Sequence, residues 1–213
     1  MKLPAAVTAS ALLLSLAACT QRSDTVAHDL ATAPADAFMA AVAAHCGQAY
    51  AGKVVEDTPA PTGKDPFAGQ RLVMHVRGCA DPAHELRIPF HVGDDHSRTW
   101  VLTRTATGLR LKHDHRHADG SPDAITLYGG DSTPPGTAER QQFPADTDSV
   151  AMFRRADMLA STHNTWAMEI DPDQTFVYEL TRPDGRRFRV QFDLSKPVDL
   201  PPAPWGDEKA AAP

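Results

Sequence analysis

Apolar and polar residues alternate through most of this chain with a period of two, the spacing of strands that bury one face. In RLVMHVRG, Leu72, Met74 and Val76 fall on one side and Arg71, Val73, His75 and Arg77 on the other. ELRIPFHV repeats the pattern with Leu86, Ile88, Phe90 and Val92, and RRFRVQFDL with Phe188, Val190, Phe192 and Leu194. TWVLTRT, GLRLKHDH, AITLYG, TWAMEID and TFVYELT follow it, and AYAGKVVED follows it more weakly. Turn chemistry separates the strands at Gly93-Asp94-Asp95, Ala106-Thr107-Gly108, Asp119-Gly120-Ser121-Pro122, Asp171-Pro172-Asp173 and Pro183-Asp184-Gly185.

Two stretches break this rhythm. Phe38, Val42 and Cys46 recur at helical spacing in an Ala-rich run, which predicts a helix from Pro34 to about His45, before Gly47. DTDSVAMFRRADM opens on Asp and Ser and predicts a short helix from Asp148 to about Ala156. The chain is therefore expected to be mainly β. About nine or ten antiparallel strands form a meander over 34–196, and closing it into a barrel removes the exposed edges. A β-sandwich is the alternative. The architecture is similar to the calycin group, the lipocalin-like and fatty-acid-binding barrels, in which a pocket opens at the mouth. The Gly-x-Trp of lipocalins and the Gly-Thr-Trp-x-Gly of haem-binding barrels are missing, so the resemblance carries over no residue.

The two ends differ in kind. MKLPAAVTASALLLSLAACT has one basic residue, a short apolar run and small residues at its close, the pattern of a secretory signal peptide over 1–18. Leu16-Ala17-Ala18-Cys19 resembles the lipobox of bacterial lipoproteins, which implies cleavage before Cys19, lipidation of its thiol and anchoring to a membrane. Thr20 stands where Asp would retain such a protein at the inner membrane. The resemblance therefore implies the outer membrane, facing the periplasm. Residues 19–33 are polar without a period and are expected to be a tether, and residues 197–213 a Pro-rich tail. KHDHRHADG, Leu127-Tyr128-Gly129-Gly130-Asp131 and Pro202-Ala203-Pro204-Trp205-Gly206 also resemble small secreted proteobacterial proteins, a likeness that implies no activity.

Charge and cysteine content narrow the function classes. The net charge of −6 makes the chain a poor partner for nucleic acid, and loss of Lys2 with the signal peptide makes it −7. Besides Cys19, two cysteines remain, Cys46 and Cys79. In an oxidising compartment they are expected to form a disulfide, worth about 3–4 kcal/mol in the chain-entropy account, with buried free thiols as the alternative.

KHDHRHADG carries the candidate chemistry. Strand parity puts His113, His115 and His117 on the same side as Leu109 and Leu111, and Arg110, Lys112, Asp114 and Arg116 towards water. With Ala106 and Thr107 as a two-residue turn, Leu102 faces Leu111, Trp100 faces His113, Arg98 faces His115 and His96 faces His117. Across the next hairpin, with Ala118 to Asp123 as its loop, Tyr128 faces His113 and Thr126 faces His115. Three alternate histidines cannot all reach one ion, because His113 and His117 would stand about 13 Å apart at about 3.3 Å per residue. A zinc or copper site would thus take His115, His117 and His96, with Asp119 or Asp123 from the loop.

Arg98 beside His115 opposes a cation and suits a small anionic or amphiphilic ligand, held by His113, His115, His117, His96, Arg98, Trp100 and Tyr128. Mutual bonding of these side chains at a structural rim is the third reading. The expected function is a binding module for a metal ion or such a ligand. A structural or interaction lipoprotein without a small ligand is the alternative, and a metal-dependent hydrolase comes third. No Gly-x-Ser-x-Gly accompanies His163, and Asp171 and Asp173 fit a turn better than a calcium loop. Gly129-Gly130-Asp131 fits a strand end better than a phosphate cradle, and Glu169 and Glu179 fit solvated faces.

Overall fold

The computed structural model describes residues 33–133 and 136–207. The expected signal peptide, Cys19, nearly all of the tether and residues 208–213 of the tail lie outside them. Helix α1 (Pro34–Ala43) is followed by strands β1 (Ala49–Thr58), β2 (Leu72–His75), β3 (Glu85–Val92), β4 (Asp95–Arg104), β5 (Leu109–His115) and β6 (Tyr128–Asp131). Strand β7 (Arg140–Pro144), helix α2 (Thr147–Arg155), a 3₁₀ turn (Leu159–His163), β8 (Thr165–Asp171), β9 (Thr175–Thr181) and β10 (Arg187–Val198) complete the order.

One ten-stranded sheet runs β6-β5-β4-β3-β2-β1-β10-β9-β8-β7, antiparallel throughout. The chain makes two meandering arms that β1 and β10 join. The sheet is nearly closed into a barrel similar to the lipocalin-like architecture, with β6 and β7 as the two edges left to meet.

Those edges meet through α2 and isolated backbone bonds instead of a ladder, one of them from Thr133 N–H to Gln142 C=O (3.3 Å). Ser149 Oγ accepts from Gly129 N–H (2.8 Å) and donates to Gly129 C=O (3.0 Å), and Asp146 N–H donates to the same carbonyl (2.8 Å). Asp146 also caps α2 by accepting from Ser149 N–H, and takes Lys112 Nζ of β5 at 2.5 Å. The Gly129-Gly130 pair permits this approach, because a Cβ on either would overlap the carbonyl of Leu111 or Pro144.

Alternation fills the interior as expected. Leu86, Ile88, Leu102, Leu111, Met168, Phe176, Val190 and Phe192 are buried in one core. Helix α1 closes one end with Phe38, Met39 and Val42, and its Asp36 pairs with Arg104 at the end of β4 (2.5 Å). Cys46 and Cys79 form the disulfide, tying the turn after α1 to the β2–β3 connection.

Three expectations need correction, and one strand was not anticipated. AITLYG is not a strand along its length: Leu127 has φ +56°, so β6 begins at Tyr128. Strand β7 carried too little signal to be anticipated, since the inward partner of its Phe143 is Gln141. The Pro-rich segment after β10 is no free tail over 199–207: Pro204 is buried and Trp205 N–H donates to His96 C=O (3.0 Å). Glu179 is no solvated residue either. It is 2 % exposed and takes Arg140 (2.6 Å), Arg187 (2.9 Å) and Arg189 on the outer face of β7–β10.

Candidate ligand cavity

The end of the barrel opposite α1 holds a cavity of about 180 Å³. The two-residue turn after β4 sets the expected register, with Leu102 opposite Leu111, Trp100 opposite His113 and Arg98 opposite His115. Tyr128 stands opposite His113 on the other side of β5, and Thr126 meets His115 through its hydroxyl, which accepts His115 N–H (2.8 Å).

His113 is 3 % exposed and both ring nitrogens are engaged. Nδ1 lies 3.1 Å from the Tyr128 carbonyl, which can only accept, so Nδ1 carries the proton. Nε2 then accepts from the Tyr178 hydroxyl at 2.8 Å. Burial pushes the imidazole down to about 3, so it is neutral, and it stacks on the Tyr128 ring at 4.6 Å. His113 is a satisfied core residue that builds the cavity wall.

His115 is nearer the mouth. Its Nε2 lies 3.0 Å from the Tyr128 hydroxyl, whose pKa burial pushes up to about 12. The Tyr128 hydroxyl is therefore protonated, and the pair shares one hydrogen bond whose direction follows the His115 tautomer. Burial first, and then the positive charge of Arg98, hold His115 below the ordinary histidine value. Arg98 donates from Nη1 to Asp95 (2.6 Å), and among the described residues its Nε and Nη2 have no acceptor. Trp100, 2 % exposed, stacks on Tyr178 at 4.5 Å and on Phe90 at 5.0 Å to form the apolar floor.

The structure leaves His96 and His117 out of this group. Strand β5 ends at His115, and His117 is exposed in a tight turn, donating its N–H to Ser121 C=O (2.9 Å) and accepting Gly120 N–H (2.9 Å). A β-bulge displaces His96: between the pairs Phe90–Arg98 and Val92–Asp95, β4 has one residue more than β3. The extra residue reverses parity, and the His96 imidazole lies against His91 with Nδ1–Nδ1 at 2.8 Å. His91 alternates with the inward Phe90 and Val92, so this contact is on the outer face of the sheet.

Asp119 and Asp123 accept local N–H groups, from Ser121 and Ile125, and Asp123 lies near enough to His115 to favour its charged form without bonding it. Among the described residues no three His, Cys, Asp or Glu side chains converge as metal ligands. Asp114, expected towards water, is 5 % exposed between Arg87 (2.9 Å) and Arg116 (2.8 Å), with Trp205 and Gly206 packed nearby.

Sequence reasoning missed the opposite wall. Phe188 and Leu180 come from β10 and β9, and Phe67 from the β1–β2 connection packs tilted against Phe188 at 4.9 Å. Arg186, in the β9–β10 hairpin, binds Asp57 and the Thr58 carbonyl (3.2 Å), and its guanidinium lies 5.9 Å from the Phe188 ring centre. Inward parity identifies Phe188 as buried. It does not say which end of the barrel Phe188 lines, and that depends on the pairing of β10 with β1.

The assembled cavity has aromatic walls and a polar rim of Arg98, Arg186, His115 and the Tyr128 hydroxyl. It can hold a flat or short apolar group while offering guanidinium donors to an anionic end. Comparison with known protein families, with curated proteins and with solved structures returns no match to this chain.

Proposed function

We propose that this protein is a lipoprotein anchored at Cys19 in the outer membrane, facing the periplasm, whose barrel binds a small amphiphilic anion. The lipobox-like Leu16-Ala17-Ala18-Cys19 supports the anchor. The observation that carries the ligand is the cavity: guanidinium donors of Arg98 meet an aromatic pocket in one space. At about 180 Å³ it is below the roughly 300–1,000 Å³ of pockets for drug-sized molecules, so a short-chain or single-ring carboxylate fits its size better than a long lipid. A metal ion is the weaker reading, because the intended ligands His96 and His117 lie away from His115. The hydrolase reading weakens with it.

Calorimetry on the mature chain carrying Cys19→Ser tests the proposal with benzoate, indole-3-acetate, octanoate, phosphate, zinc and copper. Binding of one of the carboxylates is expected, and Arg98→Gln weakens it about 10- to 100-fold, the range of a charged hydrogen bond at about 1.5–3 kcal/mol. No binding of any carboxylate refutes the ligand reading and leaves a structural envelope lipoprotein. Zinc or copper binding that His115→Ala abolishes restores the metal reading. Incorporation of labelled palmitate that Cys19→Ala removes tests the anchor separately.

A further inference from the structure

The segment after β10, residues 199–207, is a strap across the outer face of the sheet behind the cavity. Pro201 and Pro202 lie beside Val73 and His91, and Trp205 and Gly206 beside Thr99 and Asp114. Its backbone hydrogen bond to the sheet, from Trp205 N–H, lands on the β4 bulge, three residues of which lead directly into Arg98.

Three backbone groups of that bulge have named partners. Ser97 N–H donates to Asp95 Oδ1 (2.9 Å), whose other oxygen holds Arg98 Nη1 (2.6 Å). The His96 carbonyl accepts from Trp205 N–H (3.0 Å), and the Ser97 carbonyl accepts from Arg116 N–H (2.9 Å). Side chains repeat the arrangement. The His96 ring meets His91 on one side and the Trp205 ring edge-on at 6.3 Å on the other. Gly206 packs on Gly120, in the turn that follows Arg116, so tightly that a Cβ on Gly206 would come within 3.1 Å of the Gly120 carbonyl. Asp207 adds a long contact to Arg77 (3.9 Å).

A bulge is the least constrained part of a ladder, because its extra residue lacks a cross-strand partner. Here the inner side of the bulge sets the Asp95–Arg98 pair, and the strap supplies hydrogen bonding and ring contact from outside. We infer that Trp205 is a positioning residue for the cavity: the C-terminal strap fixes the β4 bulge and thereby holds Arg98 where it meets the ligand carboxylate. Trp205 touches no ligand. The inference rests on the carboxylate reading of the cavity, and its test separates the two.

The test uses the mature Cys19→Ser chain with Trp205→Ala, Trp205→Phe and, as a control of packing at the other end of the barrel, Met39→Ala. Affinity for whichever carboxylate probe (benzoate, indole-3-acetate or octanoate) the parent chain binds most tightly is measured beside thermal midpoint and hydrogen exchange at the Ser97 and Arg116 amides. Trp205→Ala is expected to weaken the probe at least tenfold and to speed exchange at both amides at least tenfold, at a temperature where it remains folded. Trp205→Phe keeps a ring over His96 and restores both. Met39→Ala lowers the midpoint and leaves affinity within twofold. Unchanged affinity in Trp205→Ala overturns the inference, as does equal weakening by Met39→Ala. If the parent chain binds none of the probes, the carboxylate reading fails on its own. Exchange then decides whether the strap holds the bulge, and unchanged rates at Ser97 and Arg116 refute that too.

Discussion

Acid should unfold this protein at a pH where most carboxylates are still ionised, because buried neutral imidazoles oppose it. His75, His91 and His113 are 8 %, 2 % and 3 % exposed. Burial, the largest cause in each case, lowers His75 to about 4 and both His91 and His113 to about 3. Arg77 adds repulsion at His75, and His96, His75, Arg77 and Arg71 add it at His91. In the unfolded chain each imidazole titrates near 6.5, so on acidification the unfolded state takes up the proton first. Stability from these groups is fully present above that value. It is lost as pH falls from about 6.5 towards the folded-state values.

Each lowered histidine contributes a slope of up to about 1.4 kcal/mol per pH unit in that window. Between pH 7.5 and 4.5 this amounts to about 2.5 kcal/mol per imidazole, and about 7–8 kcal/mol for the three together. His45 and His115 are shifted in the same direction by burial and add to the loss. A domain stable by about 5–15 kcal/mol therefore loses much of its margin while most carboxylates are still ionised. Urea unfolding followed by circular dichroism at pH 7.5, 6.0, 5.0 and 4.5 measures it, with a constant m-value as the check on two-state behaviour. The midpoint should fall steeply below pH 6.5, and His91→Gln should remove about 2.5 kcal/mol of that pH-dependent loss whatever its effect at pH 7.5. A total loss below about 1 kcal/mol between pH 7.5 and 4.5 would refute the reasoning.

Three further outcomes test the closure of the barrel and its outer face. Reduction of Cys46–Cys79 removes a cross-link worth about 3–4 kcal/mol, which denaturant melts with and without reductant will read. Ser149→Ala leaves the buried Gly129 N–H at the β6–β7 seam without its hydroxyl acceptor, while the Gly129 carbonyl keeps Asp146 N–H; it should cost about 1–3 kcal/mol, with faster exchange at the Gly129 amide. Glu179→Gln removes the shared carboxylate while Arg140 and Arg189 keep Glu169 and Arg187 keeps Glu56, and about 1–3 kcal/mol of destabilisation in the same melts is expected.

The fold was legible where one face of a strand meets the core and the other meets solvent. Leu86, Ile88 and Phe90, or Phe188, Val190 and Phe192, declare a buried side two residues at a time, and the observed strands carry them inward. Legibility failed where the outer face is buried as well. Val73, His75, His91, Thr99 and Asp114 look like ordinary outward residues, yet all are buried, and the strap runs beside several of them. Local sequence contains no trace of a segment returning from about 100 residues away. Strand β7 escaped for a related reason: its inward Gln141 satisfies its amide nitrogen on the Thr137 carbonyl (2.7 Å), a partner no alternation pattern reveals.

The three histidines of KHDHRHADG differ because strand parity holds only as long as the ladder does. His113 lies inside the ladder, opposite Trp100 on one neighbour and Tyr128 on the other, and its partners leave it no proton to exchange. His115 is the last residue of β5, where the core opens into the cavity, so its ring shares a hydroxyl with Tyr128 and feels the charge of Arg98. One step further, the chain turns to bring Gly120 back to His117, and the ring leaves the inward row. On β4 the bulge does the equivalent to His96, moving it from the mouth to the strap. The pattern thus located the cavity from its inward side but overstated the number of histidines facing it. What it could not encode is the event at each strand end: a turn for one histidine, and for the other a bulge whose outer face a distant tryptophan covers.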